Sequence, residues 1–230
     1  MTIPLEIIDL SKTYDTKEAV RDISFKVNEN EIIGILGPNG CGKTTTIGMI
    51  LGLLKPTKGK VLINGIEIEK QRVELLNELN FISPYIELPK KLTVKQNLEV
   101  YGRLYDVKEL GIKIDYLCEK LRLNEFINKI TGELSSGQKN RVSLAKSIIN
   151  DPSVLLLDEP TASLDPETGD FVRSFLEEYQ KEKKASILLA SHNMAEVERL
   201  CSSVLMMNKG SIIDQGTPEE LIKKHGRRNM

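Results

Sequence analysis

The sequence predicts an α/β fold with an antiparallel β region at its start, a parallel-sheet core and a helical region inserted into that core. Three observations predict it. Short segments of alternating polarity open the chain, a glycine-rich loop separates an apolar run from a helical stretch, and two later apolar runs have no polar interruption. Alternation is typical of half-buried strands, whereas unbroken runs suit parallel strands that are covered on both faces.

The first third of the chain supplies the β region and the start of the core. Its alternating segments predict antiparallel strands, and the dipeptide Asn64-Gly65 predicts a hairpin because it tolerates the positive φ angles of a tight turn. A compact apolar run is cut by a Gly-Pro-Asn-Gly loop, after which a helical stretch begins. The predicted elements are strands at 5–10, 23–27 and 31–36, a helix at 44–54 and a hairpin at 61–68.

The middle and the end of the chain supply the insert and the rest of the core. From residue 92 to residue 150 apolar residues recur with a helical period, at Leu117, Leu121, Leu123, Val142, Ala145 and Ile149 among others. The parallel sheet is predicted to resume afterwards. The predicted elements there are buried strands at 154–157 and 187–190 around a helix at 167–181, then strands at 204–207 and 211–213, then a helix from Thr217.

Composition and charge exclude several function classes. With 32 basic and 33 acidic residues the net charge is -1, which provides no global positive field for a polyanion, so no nucleic-acid partner is expected. No apolar run approaches the roughly 18 residues that cross a bilayer. The first ten residues lack the basic and apolar segments of a secretory signal, which predicts a cytoplasmic protein.

The cysteines and the C-terminal basic residues carry little information. Three cysteines are an odd number without metal-ligand spacing, and this predicts free thiols rather than a disulfide framework or a zinc site. The basic cluster is expected to be a solvated helix end. The residues concerned are Cys41, Cys118 and Cys201, and Lys223, Lys224, Arg227 and Arg228.

Residues 37–44 satisfy the pattern G-x-x-x-x-G-K-[ST] between a predicted strand and a predicted helix, the context that supports this motif. Chance would produce such an octapeptide in about one of a hundred chains of this length. Its glycines let backbone N–H groups approach phosphates, Lys43 neutralises the β- and γ-phosphates, and the Thr44 hydroxyl can ligate Mg²⁺. The loop is predicted to bind a nucleoside triphosphate through Gly37, Pro38, Asn39, Gly40, Cys41, Gly42, Lys43, Thr44 and Thr45.

Two carboxylates later in the chain and one cysteine in the octapeptide are also candidates for chemistry. The strand at 154–157 ends in Asp158 and Glu159, and phosphate chemistry needs both a metal ligand and a group that orients water. Asp158 is the predicted Mg²⁺ ligand and Glu159 the predicted general base, the alternative being an acidic strand end that enters a solvated loop. The Cys41 thiol lies near Lys43 and a helix start, which predicts reactivity, with ATP shielding it from alkylation.

Leu134-Ser135-Ser136-Gly137-Gln138 precedes a helical pattern, so Ser135 and the Gly137 backbone are placed at a helix N-terminus that suits an anion. Alone, this segment is a helix cap. Together with the other motifs it resembles the ATP-binding cassette (ABC) family, whose signature L-S-G-G-Q precedes such a helix. The resemblance covers essentially the whole chain, in the family's order: Tyr14, residues 37–44, residues 134–138, Asp158-Glu159-Pro160, Ser163-Leu164-Asp165 and His192.

The resemblance implies one ABC ATPase domain over residues 1–230, with a P-loop NTPase RecA-like core. Residues 1–83 and 152–230 would form the β region and core, and 84–151 the helical subdomain. It also implies ATP and Mg²⁺ as cofactors and a head-to-tail dimer. Lys43, Glu159 and His192 would be catalytic, Tyr14 would stack on adenine, Asp165 would lie at the dimer interface, and Ser135, Gly137 and Gln138 would act on the partner's ATP.

Some alternatives and departures remain. His192 could be a packed or helix-capping histidine, and Tyr14 a core residue. The glutamine that the family carries in its Q-loop falls at about Pro84, and Ser83-Pro84-Tyr85 contains none. That glutamine touches Mg²⁺ and links the site to the membrane partner. Ser136 replaces the first glycine of the signature. Since Lys43, Asp158, Glu159 and His192 are kept, hydrolysis is expected.

The resemblance predicts an ATPase subunit that docks on a separate transmembrane permease, at the inner face of the cell membrane, with a second copy or a close paralogue. Residues 85–97 and the helical insert would form the docking face. The strings at 101–105 and 190–194 resemble stand-alone subunits of bacterial or archaeal exporters, which often continue beyond a point matching residues 226–230. Two alternatives are a soluble ABC protein acting on ribosomes or DNA, and a regulatory module that binds ATP with weak turnover.

Overall fold

The computed structural model describes residues 2–84 and 86–225, and in it the predicted strands and helices follow one another in the predicted order. Predictions that fall on Tyr85 or on residues 226–230, including those on Arg227 and Arg228, lie outside the described residues. The elements are β1 (Leu5–Tyr14), β2 (Lys17–Val27), β3 (Ile32–Leu36), α1 (Lys43–Ile50), β4 (Lys58–Ile63), β5 (Ile66–Glu67), α2 (Arg72–Leu76), β6 (Leu79–Ile82), α3 (Val94–Leu104), α4 (Leu110–Lys120), α5 (Ser136–Ser147), β7 (Val154–Asp158), α6 (Pro166–Lys183), β8 (Ser186–Ser191), α7 (Met194–Leu200), β9 (Ser203–Asn208), β10 (Ser211–Gly216) and α8 (Pro218–His225).

Two sheets form the framework. The antiparallel sheet at the N-terminal side has the order β2-β1-β4-β5, and it includes the hairpin predicted around Asn64-Gly65. The second sheet has the order β10-β9-β3-β8-β7-β6, in which all neighbours are parallel except β10 and β9. The α/β core with an antiparallel β region is therefore confirmed.

The second sheet separates two apolar clusters, and this explains the unbroken apolar runs. Leu155 and Leu157 of β7 join a cluster that contains the helical insert, whereas Val154 and Leu156 join a cluster that contains the antiparallel sheet and α1. Successive side chains of a strand point to opposite faces, so a strand covered on both faces needs apolar residues at every position. β7 and β8 are buried along their whole length.

The helical insert packs on one face of the sheet through the residues that its periodicity predicts. Leu117, Leu121, Leu123, Val142, Ala145 and Ile149 are all fully buried in the cluster on that face. α3 and α5 each begin with a capping box. The side chain of Thr93 or Ser135 accepts from the backbone N–H of the third helical residue, and the glutamine side chain of that residue accepts from the backbone N–H of the cap. The division at residues 83/84 and 151/152 stays a prediction.

Several boundaries differ from the sequence predictions. Helix α1 ends at Ile50 rather than residue 54, because Gly52 has a φ of +63° and the N–H of Leu53 turns back to the carbonyl of Gly48 at 2.9 Å. This Schellman arrangement ends helices. The sequence reasoning also missed α2, β6 and α7. β6 has only four residues at the sheet edge, and α2 and α7 have five and seven, too short for a clear period.

The helices of the described chain are too short or too polar to span a bilayer. All three cysteines are free and buried, as the free-thiol prediction requires. Lys223 and Lys224 are exposed in the last turn of α8, the solvated helix end that was expected, and Lys224 pairs with Asp214 at 2.7 Å.

Candidate functional site

Three loops meet at one edge of the parallel sheet. The register pairs Leu36 with Ser191 and Asp158 with Ala190, so the chain leaves β3, β7 and β8 at the same edge. Carboxyl ends of parallel strands are where α/β folds place their ligands. The octapeptide loop follows β3, Glu159 follows β7 and His192 follows β8.

The octapeptide loop requires glycine at two positions for different reasons. A Cβ on Gly37 would lie 2.2 Å from the carbonyl oxygen of Met207, because strand β9 passes directly beside the loop. Gly42 has a φ of +115°, a conformation that side chains rarely adopt. These two requirements hold the backbone close to β9 and turn it into helix α1.

Lys43 begins α1, and its buried ammonium points back into the loop. Its Nζ donates to the carbonyl oxygen of Gly37 at 2.7 Å and lies 3.6 Å from Glu159 Oε1. A buried ammonium needs such partners, since desolvation of an unpaired charge is expensive. The lysine thereby brings a positive charge to the point where the loop and Glu159 meet.

Thr44 and Asp158 form a pair of oxygen ligands. The Thr44 hydroxyl donates to Asp158 Oδ2 at 3.1 Å, whereas the buried Asp158 Oδ1 has no hydrogen-bond partner among the described residues. Burial raises the pKa of Asp158, and the Thr44 hydrogen bond opposes the rise. A hydroxyl and a carboxylate are ligands that Mg²⁺ prefers, and the unpaired oxygen leaves one free for it. The residues fit that ion.

Glu159 and His192 are in direct contact. His192 Nδ1 lies 2.8 Å from both carboxylate oxygens of Glu159, whose side chain is 11% exposed, whereas that of His192 is 57% exposed. Asn193, not His192, caps helix α7. The packed and helix-capping alternatives for His192 are therefore wrong. Glu159 also has a φ of +53°, a sparsely populated conformation for a side-chain-bearing residue.

A cleft of about 960 Å³ extends from Asp158 and Glu159 to Tyr14. Tyr14 is 44% exposed, with Lys12 Nζ 5.0 Å from the ring centroid, so the alternative that it is a core residue is wrong. Stacking on adenine stays a prediction. The lining of the cleft includes Tyr14, Asn39, Gly40, Gly42, Lys43, Thr44, Thr45, Asp158 and Glu159, together with Lys209 and Gly210.

Cys41 corrects one sequence prediction. Its side chain is 3% exposed and belongs to the apolar cluster under the antiparallel sheet, so it does not line the cleft. The predicted thiol reactivity and its shielding by ATP are therefore wrong, because a thiol buried among apolar side chains is not accessible to reagents. Gly37 and Pro38 do not line the cleft either.

The signature segment lies away from the cleft. Ser135 caps α5, where its Oγ accepts from the N–H of Gln138 at 3.2 Å, and the Gln138 side chain accepts from the N–H of Ser135. Gly137 approaches the start of α6, since a Cβ there would lie 3.1 Å from Thr168 Oγ1. Asp165 caps α6 from an exposed position. Ser135, Gly137, Gln138 and Asp165 thus do not meet Lys43 within the described chain.

A second cavity reaches Glu159 from the side of the helical insert. It has a volume of about 290 Å³, and its lining includes Pro84, Ser136, Asn140 and Glu159. Position 84, where the family's glutamine was expected, therefore borders the same cavity as the candidate base. Proline offers no side-chain amide at this point.

Sequence reasoning missed the residues that support Glu159 and His192. Glu196 is 2% exposed, and its two carboxylate oxygens accept from Thr161 Oγ1 and Ser191 Oγ, both at 2.7 Å. A glutamate in a short polar helix gave no signal of burial. Lys209, which follows β9, also lines the cleft, and the sequence reasoning assigned it no role.

The comparison with protein families agrees with this geometry. A family model described as "ABC transporter" matches residues 20–162, which is more than half of the chain.

The chain belongs to the ABC transporter family.

Curated relatives of this ABC protein extend the match to almost the whole chain. It is 35% identical over 224 residues to the ABC transporter ATP-binding protein NatA of Bacillus subtilis, covering 94% of this chain and 91% of the relative. It is 37% identical over 225 residues to the Nod factor export ATP-binding protein I of Rhizobium johnstonii, covering 96% of this chain and 72% of the relative.

Solved structures confirm the fold of this ABC protein. An ATP binding subunit of an ABC transporter superposes with a TM-score of 0.89 at 29% identity, over 100% of this chain and 95% of the other. The cbiO1 protein of Clostridium perfringens, part of the cbiONQ transporter complex, superposes with a TM-score of 0.86 at 31% identity, over 99% and 94%. The family, the P-loop fold and the ABC-type ATPase predicted from the sequence are confirmed.

Proposed function

We propose that this ABC ATPase binds ATP with Mg²⁺ in the cleft beside Tyr14 and hydrolyses it in a head-to-tail dimer that drives a separate transmembrane permease. The observation that carries the proposal is the position of Glu159. Its carboxylate lies between Lys43 Nζ at 3.6 Å and His192 Nδ1 at 2.8 Å, at the end of the cleft. A carboxylate placed there can orient water against a phosphate that Lys43 holds.

The chemistry follows from these three side chains. The octapeptide amides and the Lys43 ammonium would bind the β- and γ-phosphates. Glu159 would accept a proton from water as the water oxygen bonds to the γ-phosphorus and the bond to the β–γ bridging oxygen breaks, which releases ADP and inorganic phosphate. Since a carboxylate only accepts, a hydrogen bond with His192 needs a proton on Nδ1, and this bond would orient the base.

Thr44 and Asp158 would hold Mg²⁺. The unpaired Asp158 Oδ1 and the neighbouring Thr44 hydroxyl support this assignment. When bound, the ion would neutralise charge that develops on the phosphate oxygens.

The second copy, or a close paralogue, would complete the site. Ser135, Gly137 and Gln138 lie at the start of α5 and outside the cleft, where they are available to the partner's ATP, and Asp165 would lie at the same interface. An ATP-binding cassette solved as a dimer in a post-hydrolysis state with ADP and Pi shares the fold, with a TM-score of 0.84 at 23% identity over 93% of this chain and 98% of the other.

The names of the relatives support a transport role. Nod factor export ATP-binding proteins point to export, and cbiO1 is part of a larger transporter complex. We accordingly place the chain in the cytoplasm at the inner face of the cell membrane. Residues 86–97, which carry the exposed Ile86, and the helical insert would dock on the permease.

The test is steady-state ATPase activity with Mg²⁺ at several protein concentrations, for the wild type and for Glu159→Gln. We expect the rate per subunit to rise with concentration, because two copies build each site. Glu159→Gln should lower kcat about 10²- to 10⁴-fold while ATP binding is retained. It should also form an ATP-dependent dimer by analytical ultracentrifugation.

Glu177→Gln is the matched control, since Glu177 lies on the surface of α6 and pairs with Arg199. It should leave kcat unchanged. Intact ATP binding with negligible turnover in the wild type would favour the regulatory module instead, and full turnover of Glu159→Gln would contradict the role of Glu159.

A further inference from the structure

One side-chain hydrogen bond connects helix α5 with the loop that carries Glu159. Asn140 Nδ2 donates to the carbonyl oxygen of Pro160 at 2.8 Å. Asn140 lies in the second turn of α5, the helix that Ser135 caps, and Pro160 directly follows Glu159 in the chain. This hydrogen bond therefore joins the signature helix to the backbone beside the candidate base.

The amide of Asn140 has no other hydrogen-bond partner within the described residues. Its Oδ1 is buried and unpaired, and its Nδ2 bonds to Pro160 alone. Asn80, a buried asparagine of β6, differs. There Oδ1 accepts from Lys146 Nζ and Nδ2 donates to Asn150 Oδ1, both at 2.9 Å. The Asn140 amide is thus dedicated to the Glu159 loop.

The other attachments of this loop come from the opposite side. The N–H of Glu159 donates to the carbonyl oxygen of Ala190 at 2.9 Å, and Thr161 donates to Glu196. These contacts tie the loop to β8 and α7. Glu159 itself has a φ of +53°, a conformation that persists when its surroundings impose it. Asn140 supplies the restraint from the helical side.

The second cavity leaves space beside the Asn140 contact, so that the Glu159 loop is not fixed by close packing on this side. Asn140, Pro84, Glu159 and Pro160 all line it. Close packing usually fixes a side chain regardless of one hydrogen bond. Beside a cavity, a shift of α5 can move the loop, because the hydrogen bond from Asn140 makes the Pro160 carbonyl follow the helix.

We propose that Asn140 is a positioning residue through which helix α5 sets the orientation of the Glu159 carboxylate. This inference rests on the proposed role of Glu159 as the base. When Ser135 engages the nucleotide of the second copy, any displacement of α5 is carried by the Asn140 amide to the Pro160 carbonyl and so to Glu159. Asn140 does not line the cleft, and it acts on kcat through Glu159.

The experiment uses the full chain with ATP and Mg²⁺. Asn140→Ala should lower kcat about tenfold or more, since a small misplacement of a catalytic group has effects of this size. KM and the Kd for ATP should stay within about twofold, because the cleft residues are untouched. Asn140→Gln retains an amide donor next to a cavity and should recover most of kcat.

Asn97→Ala is the matched control for fold. Asn97 is also a buried asparagine with an unpaired Oδ1, and its Nδ2 donates to Thr131 Oγ1 at 2.8 Å and to the carbonyl oxygens of Pro89 and Thr93. None of these acceptors belongs to the Glu159 loop, and Asn97 itself is 1% exposed, so it is not part of the surface proposed to dock on the permease. Asn97→Ala should lower Tm at least as much as Asn140→Ala and leave kcat unchanged.

A double mutant separates positioning from general damage. In the Glu159→Gln background, Asn140→Ala should cause little further loss of the residual turnover, because its target is already removed. The inference is overturned by wild-type kcat in Asn140→Ala, by an equal loss of kcat in Asn97→Ala, or by a full additional loss in the double mutant. A wild type without turnover overturns the proposed function and this inference with it, whereas an active wild type with an equally active Asn140→Ala overturns this inference alone.

Discussion

The two loops that meet at the contact of Lys43 with Glu159 are held in place by different means. In loop 37–45 the backbone forms the contacts, with the N–H of Cys41 bonded to the Pro38 carbonyl and the N–H of Gly210 bonded to the Cys41 carbonyl. Loop 159–165 also has backbone hydrogen bonds, such as that from Glu159 to Ala190, but here the side chains of Asn140, Glu196 and His192 add contacts from elsewhere in the chain. A backbone-built loop needs glycines within itself, whereas a side-chain-built loop needs particular residues elsewhere in the chain.

This difference predicts how each loop responds to substitution. The first loop should fail when a side chain is added, because its backbone passes too close to β9 for a Cβ. The second loop should fail when a remote side chain is altered, and its geometry should change before the fold does. The predictions below test the two responses, with the largest effect first.

Gly37→Ala should break the backbone-built loop. Its Cβ would lie 2.2 Å from the Met207 carbonyl oxygen and 2.7 Å from Cys41 Sγ, and a backbone atom of an internal strand cannot yield cheaply. We expect the free energy of unfolding to fall by about 3 kcal/mol or more, measured by urea denaturation.

Gly40→Ala is the control for that substitution. Gly40 has a φ of +78°, but a Cβ there meets no atom within 4 Å, so only the conformational cost of about 1–2 kcal/mol applies. A Gly37→Ala protein that is no less stable than Gly40→Ala would contradict the close approach to β9.

The same difference explains what the sequence could predict. The octapeptide was recognisable because its glycines and Lys43 lie within eight residues, and the cap of α5 because Ser135 and Gln138 are three residues apart. Thr161 and Glu196 are 35 residues apart, and Asn140 and Pro160 are 20 apart, so local patterns carry no trace of their contacts.

Burial could be predicted from composition in the central strands but not in the octapeptide loop. The strands β7 and β8 are buried on both faces, and their composition alone indicates this. Cys41 lies in a loop that reads as exposed, and only the packing of β9 and the antiparallel sheet around it makes it buried. β6 was missed because four residues at a sheet edge depend on the neighbouring β7 for their strand conformation.

Glu196→Gln should weaken the side-chain-built loop. Glu196 is buried and accepts from Thr161 and Ser191, the residues near Glu159 and directly before His192. Glutamine keeps the shape but replaces one acceptor oxygen by a donor, which should cost about 1–3 kcal/mol of stability. It should also lower kcat about three- to tenfold by misplacing both catalytic side chains. Urea denaturation and steady-state kinetics measure the two effects.

Glu177→Gln again supplies the comparison, since it breaks a partly exposed pair with Arg199. Pairs of this kind contribute up to about 1 kcal/mol, and this one lies away from the site. Equal kcat values for Glu196→Gln and Glu177→Gln would show that the buried carboxylate stabilises the fold without orienting Glu159 and His192.

The smallest effect is expected where loop 159–165 ends at the N-terminus of α6. Asp165 accepts from the N–H of Thr168 at 2.9 Å, and this hydrogen bond holds the pKa of Asp165 below its ordinary value. Because the folded pKa is the lower one, the charged cap stabilises the protein above the unfolded pKa of about 3.9, and the contribution is lost as the pH falls through the folded pKa.

Asparagine also caps helices but does not titrate, so Asp165→Asn tests the contribution of the charge. Thermal unfolding of the wild type and Asp165→Asn should therefore differ in Tm most at about pH 7, and progressively less as the pH falls below the unfolded pKa of about 3.9. A Tm difference that stays constant over this range would mean that the charge of Asp165 contributes nothing to the cap, and that the loop is anchored at this end by hydrogen-bond geometry alone.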